Sequence, residues 1–260
     1  MTPYPTVWFA SPKPNSRARL RLFCFPYAGG GVAGFSTWPA NLPSTTEVRT
    51  VQLPGRESRL REQPYTELQA LVETLADAIQ PYLDLPFTFF GHSMGSLIGF
   101  ELARKLRARQ WPMPILLFVS GRRAPHIPDS QPPLYSRPES TFIEGLVERY
   151  NGVPAAVLQD PELLQIFLPV LRADITMIET YCYRDEPALS CPISAFGGVQ
   201  DPQVTPQTIE AWKRHTQGTF HSRMFPGDHF YFKPGQLRLL KAMTHDLAET
   251  FPNWDLPYAA

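Results

Sequence analysis

Short apolar runs alternate with longer amphipathic stretches along most of this chain. The runs are rich in β-branched and aromatic residues, which predicts buried strands at 19–25, 47–53, 87–90, 115–120, 192–196 and 220–225. In the longer stretches, apolar residues recur every three or four positions. This spacing predicts helices at 66–82, 94–109, 141–150, 162–183 and 236–251. The alternation of the two patterns predicts an α/β fold, with a mostly parallel sheet flanked by helices.

The alternation breaks between residues 122 and 190. This segment has no β-like run; a proline-rich opening is followed by helical patterns, and Pro169 is expected to kink or split the last of them. An insertion of this length between two core strands is more often a binding cap than a plain loop. We therefore expect a single domain over residues 1–260 with a helical lid at about 122–190. A purely structural helical excursion is the alternative.

Charge and composition limit the possible partners. Lys+Arg and Asp+Glu number 24 each, so the formal net charge is +0, which argues against nucleic acid as a partner. No stretch reaches the roughly 18 apolar residues of a membrane span, and the first residues lack a signal-peptide pattern. Cys24, Cys182 and Cys191 fit neither a disulfide framework nor a zinc site. We expect free thiols, no metal, no membrane association and a cytoplasmic location.

The candidate nucleophile is Ser93, in the sequence Gly-His-Ser-Met-Gly at 91–95. The G-x-S-x-G pattern alone is weak evidence, because chance produces it in roughly one chain of this size in ten. Here it directly follows a predicted strand and directly precedes a predicted helix, which is the setting that a nucleophile elbow requires. Glycines on both sides remove side chains that would clash in so tight a turn.

A serine hydroxyl needs a neighbouring imidazole to take its proton. Of the six histidines, His229 is the best candidate base, because it lies in a turn between the last predicted strand and the last predicted helix. Asp201 follows the strand before that and is the candidate acid; Asp228 is adjacent to the histidine, where the geometry is usually unsuitable. The order Ser93, Asp201, His229 is the one that the α/β-hydrolase fold uses.

A glycine-rich loop, Phe-Pro-Tyr-Ala-Gly-Gly-Gly at 25–31, follows the first predicted core strand. Its backbone N–H groups could stabilise an oxyanion, and the expected donors are the amides of Met94 and of Ala28 or Tyr27. The same loop also satisfies G-x-G-x-x-G, the dinucleotide fingerprint. Pro39 leaves little room for the helix which that motif needs, and the next strand does not end in a ribose-binding acid.

Several runs together resemble the type II thioesterases of polyketide and non-ribosomal peptide synthases, and the related medium-chain thioesterase of animal fatty acid synthase. The matching runs occur in family order and are FPYAGGG, VQLPGRE, FFGHSMG, FLPVLRAD, FGGVQDPQV and PGDHFYF. The resemblance implies Ser93 as nucleophile, Asp201 as acid, His229 as base, and the amides of Ala28 and Met94 as oxyanion donors. The implied activity is hydrolysis of acyl groups from the phosphopantetheine thiol of a carrier protein, with no cofactor of the enzyme's own.

Other readings stay open at this stage. A general carboxylesterase or acyltransferase would use the same triad, and a non-catalytic binding module would keep the fold without the chemistry. Arg56 and Glu57 could each form a structural salt bridge or a turn contact, or could contact substrate. Apolar residues in the lid could line an acyl groove or simply pack; they are Leu163, Leu164, Phe167, Leu168, Leu171, Ile175 and Ile178. Two basic runs could guide docking of an acidic carrier or be solvated helix faces; they are Arg104–Arg109 and Arg122–Arg123.

Overall fold

A single sheet forms the centre of the molecule. The structure is a computed structural model and describes residues 7–11, 13–150 and 155–252. Within these residues, seven strands pair in the order β1-β3-β2-β4-β5-β6-β7. All neighbours run parallel except β1, which is antiparallel to β3. The strands are β1 Phe9–Ala10, β2 Leu20–Phe25, β3 Thr46–Val51, β4 Phe87–His92, β5 Leu117–Ser120, β6 Ile193–Gly198 and β7 Phe220–Phe225.

Both faces of this sheet are covered by helices. The helices are α1 Leu68–Ile79, α2 Met94–Ala108, α3 Glu139–Tyr150, α4 Ala155–Gln159, α5 Pro161–Glu179, α6 Pro206–Glu210 and α7 Gln236–Thr250. On β4, Phe87 and Phe89 pack in the apolar cluster that contains α1 and α2, while Phe90 packs with α7 on the opposite face. Successive strand residues point to opposite faces, so a strand buried on both faces is largely apolar along its length. The predicted α/β-hydrolase class, with a mostly parallel sheet flanked by helices, is confirmed.

The six predicted strands are present with small shifts of their ends, and β4 extends to His92, two residues beyond its predicted end. β1 was not predicted, because two residues are too few to show a period. α4 and α6, with five residues each, were missed for the same reason. Among the described residues, no helix is both long enough and apolar enough to cross a bilayer.

The chain between β5 and β6 carries α3, α4 and α5. Pro169 was expected to kink or split the last helix, but α5 continues through it from Pro161 to Glu179. That expectation of a split is wrong. A proline removes one backbone donor, yet the residues after it, from Val170 to Ile178, are largely buried, and this packing keeps the helix continuous. The Asp160 side chain caps its first turn by accepting from the amides of Glu162 and Leu163.

A buried ion pair fastens α5 to the glycine-rich loop. Two guanidinium nitrogens of Arg56 donate to the two carboxylate oxygens of Asp174 at 2.7 and 2.8 Å. The Gly29 amide donates to the same carboxylate at 2.8 Å, and Arg56 also donates to the Gly30 carbonyl at 3.2 Å. The Asp174 residue is 0% exposed. The open question about Arg56 is thus resolved: it forms a structural ion pair with the inserted segment.

We predict that Asp174→Asn lowers the free energy of unfolding by about 3–5 kcal/mol, because it leaves the Arg56 cation buried without a counter-charge. Urea denaturation measures this loss. The control is Glu73→Gln, which removes a partner of Arg109 but at a carboxylate 51% exposed. Its expected cost is less than about 1 kcal/mol. Equal losses in the two variants would contradict the buried character of the Arg56–Asp174 pair.

Candidate active site

Ser93 lies on the turn that joins β4 to α2. Its backbone has φ 53° and ψ −113°, a strained combination for a residue with a side chain. The turn is held by a hydrogen bond of 2.7 Å, in which the Ser93 amide donates to the Ser120 carbonyl on β5. Because Ser93 is also the N-cap residue of α2, its hydroxyl lies at the positive end of that helix.

The glycines on either side of Ser93 are required by close backbone contacts. A Cβ atom on Gly91 would lie 2.1 Å from the Gly95 carbonyl oxygen. One on Gly95 would lie 2.0 Å from the carbonyl oxygen of Phe25 on β2. Neither obstacle is a side chain that could move aside. The G-x-S-x-G pattern therefore has a steric cause in this chain, independent of any chemistry.

His229 and Asp201 come from separate loops and meet in the interior. Asp201 follows β6, and His229 lies between β7 and α7. The imidazole Nδ1 and the carboxylate Oδ2 are 2.7 Å apart, and the other carboxylate oxygen accepts from the Gln203 amide at 2.8 Å. A carboxylate can only accept here, so Nδ1 carries the hydrogen and Nε2 remains available as a base. Asp228, the rival acid, accepts instead from the Phe230 amide.

Ser93 and His229 line one small cavity beneath the inserted segment. Aromatic and aliphatic side chains from the glycine-rich loop, α3, α5 and the histidine loop complete its wall: Tyr27, Ala28, Leu146, Tyr150, Leu171, Ile175, Ile178 and Phe230. Of the apolar lid residues that could line an acyl groove, Leu171, Ile175 and Ile178 lie in this wall. Leu163 and Phe167 are exposed. The open space is about 20 Å³, close to that of a single water.

Two backbone amides beside this cavity have no acceptor. Within the part of the chain that the structure describes, neither the Ala28 amide nor the Met94 amide donates a hydrogen bond to another protein group. Amides in protein interiors are almost always paired, and two free amides are the arrangement that an oxyanion hole requires. Gly29, at φ 72°, turns the chain directly after Ala28 and is held by Asp174.

The structure of the glycine-rich loop does not fit a dinucleotide-binding site. The segment after the glycines forms a single 3₁₀ turn, Val32–Phe35, in place of the required α-helix. The Glu57 carboxylate accepts from the amides of Val32 and Ala33 at 2.8 and 3.0 Å, so it occupies the position a pyrophosphate would need. A Cβ on Gly31 would lie 2.4 Å from that carboxyl group. The glycine there accommodates Glu57.

His92 forms a buried network that the sequence did not predict. Its Nδ1 is hydrogen-bonded to Ser120 Oγ at 2.9 Å. The same Ser120 Oγ is hydrogen-bonded to the Tyr231 hydroxyl at 2.6 Å. Its ring lies 5.0 Å from that of His229, centroid to centroid. Burial, and then the nearby His229 and Lys233, hold the pKa of His92 well below its usual value, so this ring is neutral. The network joins the residue before Ser93 to the loop that carries His229, although no sequence motif marks it.

The remaining histidines have other partners. His126 and His215 are hydrogen-bonded to each other at 2.7 Å, and His245 is largely exposed. His221, Asp246 and Glu249 are the one set of three potential metal ligands among the described residues. Both carboxylate oxygens of Asp246 already accept from Arg223 at 2.6 Å. The set is therefore poorly suited to a cation.

Known proteins resemble this chain along most of its length. A family model described as a thioesterase domain matches residues 20–247. Gramicidin S biosynthesis protein GrsT of Aneurinibacillus migulanus is 46% identical over 240 residues, or 92% of this chain and 93% of that protein. RedJ, a thioesterase from the prodiginine pathway of Streptomyces coelicolor, has a TM-score of 0.84 at 40% identity, covering 92% of this chain and 90% of that chain.

A further solved structure bears on the resemblance found in the sequence. The type II thioesterase BorB from the borrelidin biosynthetic cluster has a TM-score of 0.85 at 33% identity, with 94% of this chain and 99% of that chain covered. The resemblance to type II thioesterases is confirmed. On the family match, which spans most of the molecule and includes the turn that carries Ser93, this chain belongs to the thioesterase family, whose members hydrolyse thioesters.

Proposed function

We propose that this enzyme releases acyl groups from the phosphopantetheine thiol of carrier proteins, with Ser93, His229 and Asp201 as its catalytic triad. The observation that carries this proposal is the 2.7 Å hydrogen bond from His229 to Asp201, in a loop whose histidine lines the same cavity as Ser93. Relatives from the gramicidin S, borrelidin and prodiginine systems support the substrate class.

In the first half of the reaction, Ser93 Oγ attacks the thioester carbonyl while its proton passes to His229 Nε2. The carbonyl oxygen becomes an oxyanion, which accepts hydrogen bonds from the amides of Ala28 and Met94. Each such donor is worth about 3 kcal/mol of barrier. The tetrahedral intermediate then breaks its C–S bond. The departing thiolate takes the proton from His229, and the acyl group stays on the serine as an ester.

The second half repeats these steps with water. His229 takes a proton from the water as it attacks the acyl ester, the same two amides hold the oxyanion, and Ser93 leaves with the proton returned by the imidazole. The free acid is released. Asp201 keeps the imidazole in the tautomer with hydrogen on Nδ1 and stabilises the imidazolium present in both halves.

The inserted segment at about 122–190 acts as a lid in this proposal, within one domain over residues 1–260. An open space of about 20 Å³ cannot hold an acyl chain, since ligand cavities are usually 300 Å³ or more. Binding must therefore displace part of the wall. The largely apolar lining from α3 and α5 matches the chemistry of an aliphatic chain.

The partner is a carrier domain that presents the acyl group on its phosphopantetheine arm, and the enzyme works in the cytoplasm. The cysteines are unpaired, in keeping with a reducing compartment. The basic run on α2 does not serve as a docking patch in this proposal. Arg104, Arg107 and Arg109 each form ion pairs with carboxylates of this chain.

We expect Ser93→Ala and His229→Ala each to lower kcat on an acyl-carrier thioester by roughly 10⁴-fold or more, because triad members act as a unit. Release of free thiol from the carrier measures the rate. His245→Ala, at an exposed histidine, is the control and should stay near wild type. A near-wild-type rate for His229→Ala would exclude it as the base.

Asp201→Asn should lower kcat by about 10⁴-fold, because an amide no longer fixes the working tautomer. Asp228→Asn is the matched control beside His229 and should retain most activity. The same variants assayed on a matched oxygen ester test the alternative of a general carboxylesterase. Faster turnover of the oxygen ester than of the thioester would contradict the proposed substrate class.

Leu171→Ala should shift acyl preference toward longer chains by about tenfold in the ratio of kcat/KM values, since each methylene accommodated is worth about 1–3 kcal/mol. Leu171 lines the cavity. Leu163→Ala, on the same helix but exposed, is the control and should leave the ratio unchanged. A panel of acyl groups on carrier protein gives both ratios. An identical shift in the two variants would contradict the assigned wall.

A further inference from the structure

A second cavity adjoins the one that contains Ser93. It has an open volume of about 560 Å³, within the range of ligand sites, and lies between the start of the inserted segment and the end of α5. Ile178 belongs to the walls of both cavities. We call the larger one the basic chamber; the polar lining used below consists of Arg122, Arg123, Asp129 and Glu179. The chamber differs in character from the largely apolar cavity beside it.

The acids of the basic chamber already have partners. Asp129 pairs with Arg123. Glu179 pairs with Arg149 and accepts from the amides of Leu134 and Tyr135 at 2.7 and 2.8 Å. Among residues 7–11, 13–150 and 155–252, no carboxylate forms an ion pair with Arg122. The Asp129 charge also acts on Arg122, but the direct pair of Asp129 is with Arg123. Two arginines therefore share one carboxylate, and the chamber keeps an excess of positive charge.

The position of Arg122 is fixed relative to the catalytic turn. It follows β5 by two residues, and the last residue of β5, Ser120, accepts the hydrogen bond from the Ser93 amide. The Arg122 carbonyl accepts from the Trp212 indole at 2.8 Å, which holds the backbone there. Its charge also reaches the catalytic cavity: burial raises the pKa of Tyr150, a wall residue, and Arg122 opposes that rise.

A partly buried guanidinium that shares a carboxylate with a second arginine is only partly compensated, and an oxyanion from a ligand would supply the missing charge. Under the function proposed above, the substrate has two ends. The apolar cavity suits the acyl end. The neighbouring polar chamber then suits the other end, the pantetheine arm, which carries amides and a phosphate.

We propose that the basic chamber binds the phosphate of the phosphopantetheine arm, with Arg122 donating charge-assisted hydrogen bonds to its oxygens. This assignment rests on the proposed function. A carboxylate on the acyl group is a second possible source of an oxyanion, and the test separates the two.

The test compares two thioesters with the same simple acyl group, one on 4′-phosphopantetheine and one on pantetheine without phosphate. In the wild type, kcat/KM should be about 10- to 100-fold higher with the phosphate, the value of one hydrogen bond to a charged group. In Arg122→Gln this ratio should fall toward one. Arg122→Lys, which keeps the positive charge, should retain part of the preference for the phosphate-bearing thioester. Arg109→Gln, outside the chamber, should leave the ratio at the wild-type value.

Labelling of Ser93 by a fluorophosphonate reports separately that each variant has an assembled active site. A wild-type ratio near one, or a ratio unchanged in Arg122→Gln, overturns the phosphate site while leaving the proposed function intact. The site is also overturned if Arg122→Gln selectively slows an acyl group that bears a carboxylate, with no dependence on phosphate. Wild-type enzyme that hydrolyses neither thioester would contradict the proposed function itself, and the phosphate site with it.

Discussion

The close approach of β2, β4 and α2 around Ser93 is the constraint on which the site depends. Backbone atoms approach so closely there that even a methyl group on Gly91 or Gly95 would overlap a carbonyl oxygen. The two glycines permit this close approach, and Ser93 lies between them at a positive φ. The strain is sustained because the surroundings are a buried parallel sheet, in which each strand is fixed by its neighbours. The hydroxyl is thus presented by a buried turn between strand and helix.

The second level of organisation comes from buried polar contacts that join distant segments. Arg56 and Asp174, 118 positions apart, link the inserted segment to the glycine-rich loop. The hydrogen bonds of His92 and Ser120 link the turn that carries Ser93 to the loop that carries His229. Buried polar contacts of this kind favour one arrangement of the segments that they join. These contacts therefore set where the free amide of Ala28 and the ring of His229 lie relative to Ser93.

The sequence predicted what depends on local pattern. Periodicity identified the six long strands and the main helices, and strand ends identified Ser93, Asp201 and His229 as neighbours. It could not choose partners for buried charges, because Arg56 has many possible acids at long range and nothing local selects Asp174. Arg56 lies in the run PGRE and Asp174 in the run FLPVLRAD. Both runs are part of the family resemblance, but the resemblance does not show that the two side chains are in contact. The sequence also could not predict that α5 continues through Pro169, because this continuity depends on the burial of the turns that follow.

Under the proposed function, the same contacts indicate which part of the cavity wall moves when an acyl chain enters. Leu171, Ile175 and Ile178 belong to the half of α5 that Asp174 anchors through two guanidinium bonds and a backbone amide. Moving them would break a buried ion pair. The opposite wall is α3, and its Arg149 contacts Glu179 through one longer bond of 3.4 Å and also donates to the Pro132 carbonyl. Displacing α3 would also break a buried ion pair, but that pair has a single 3.4 Å bond, against two bonds of 2.7 and 2.8 Å for Arg56 and Asp174. Under the proposed function, an acyl chain therefore enters more readily on the α3 side, with the glycine-rich loop and Asp174 left in place.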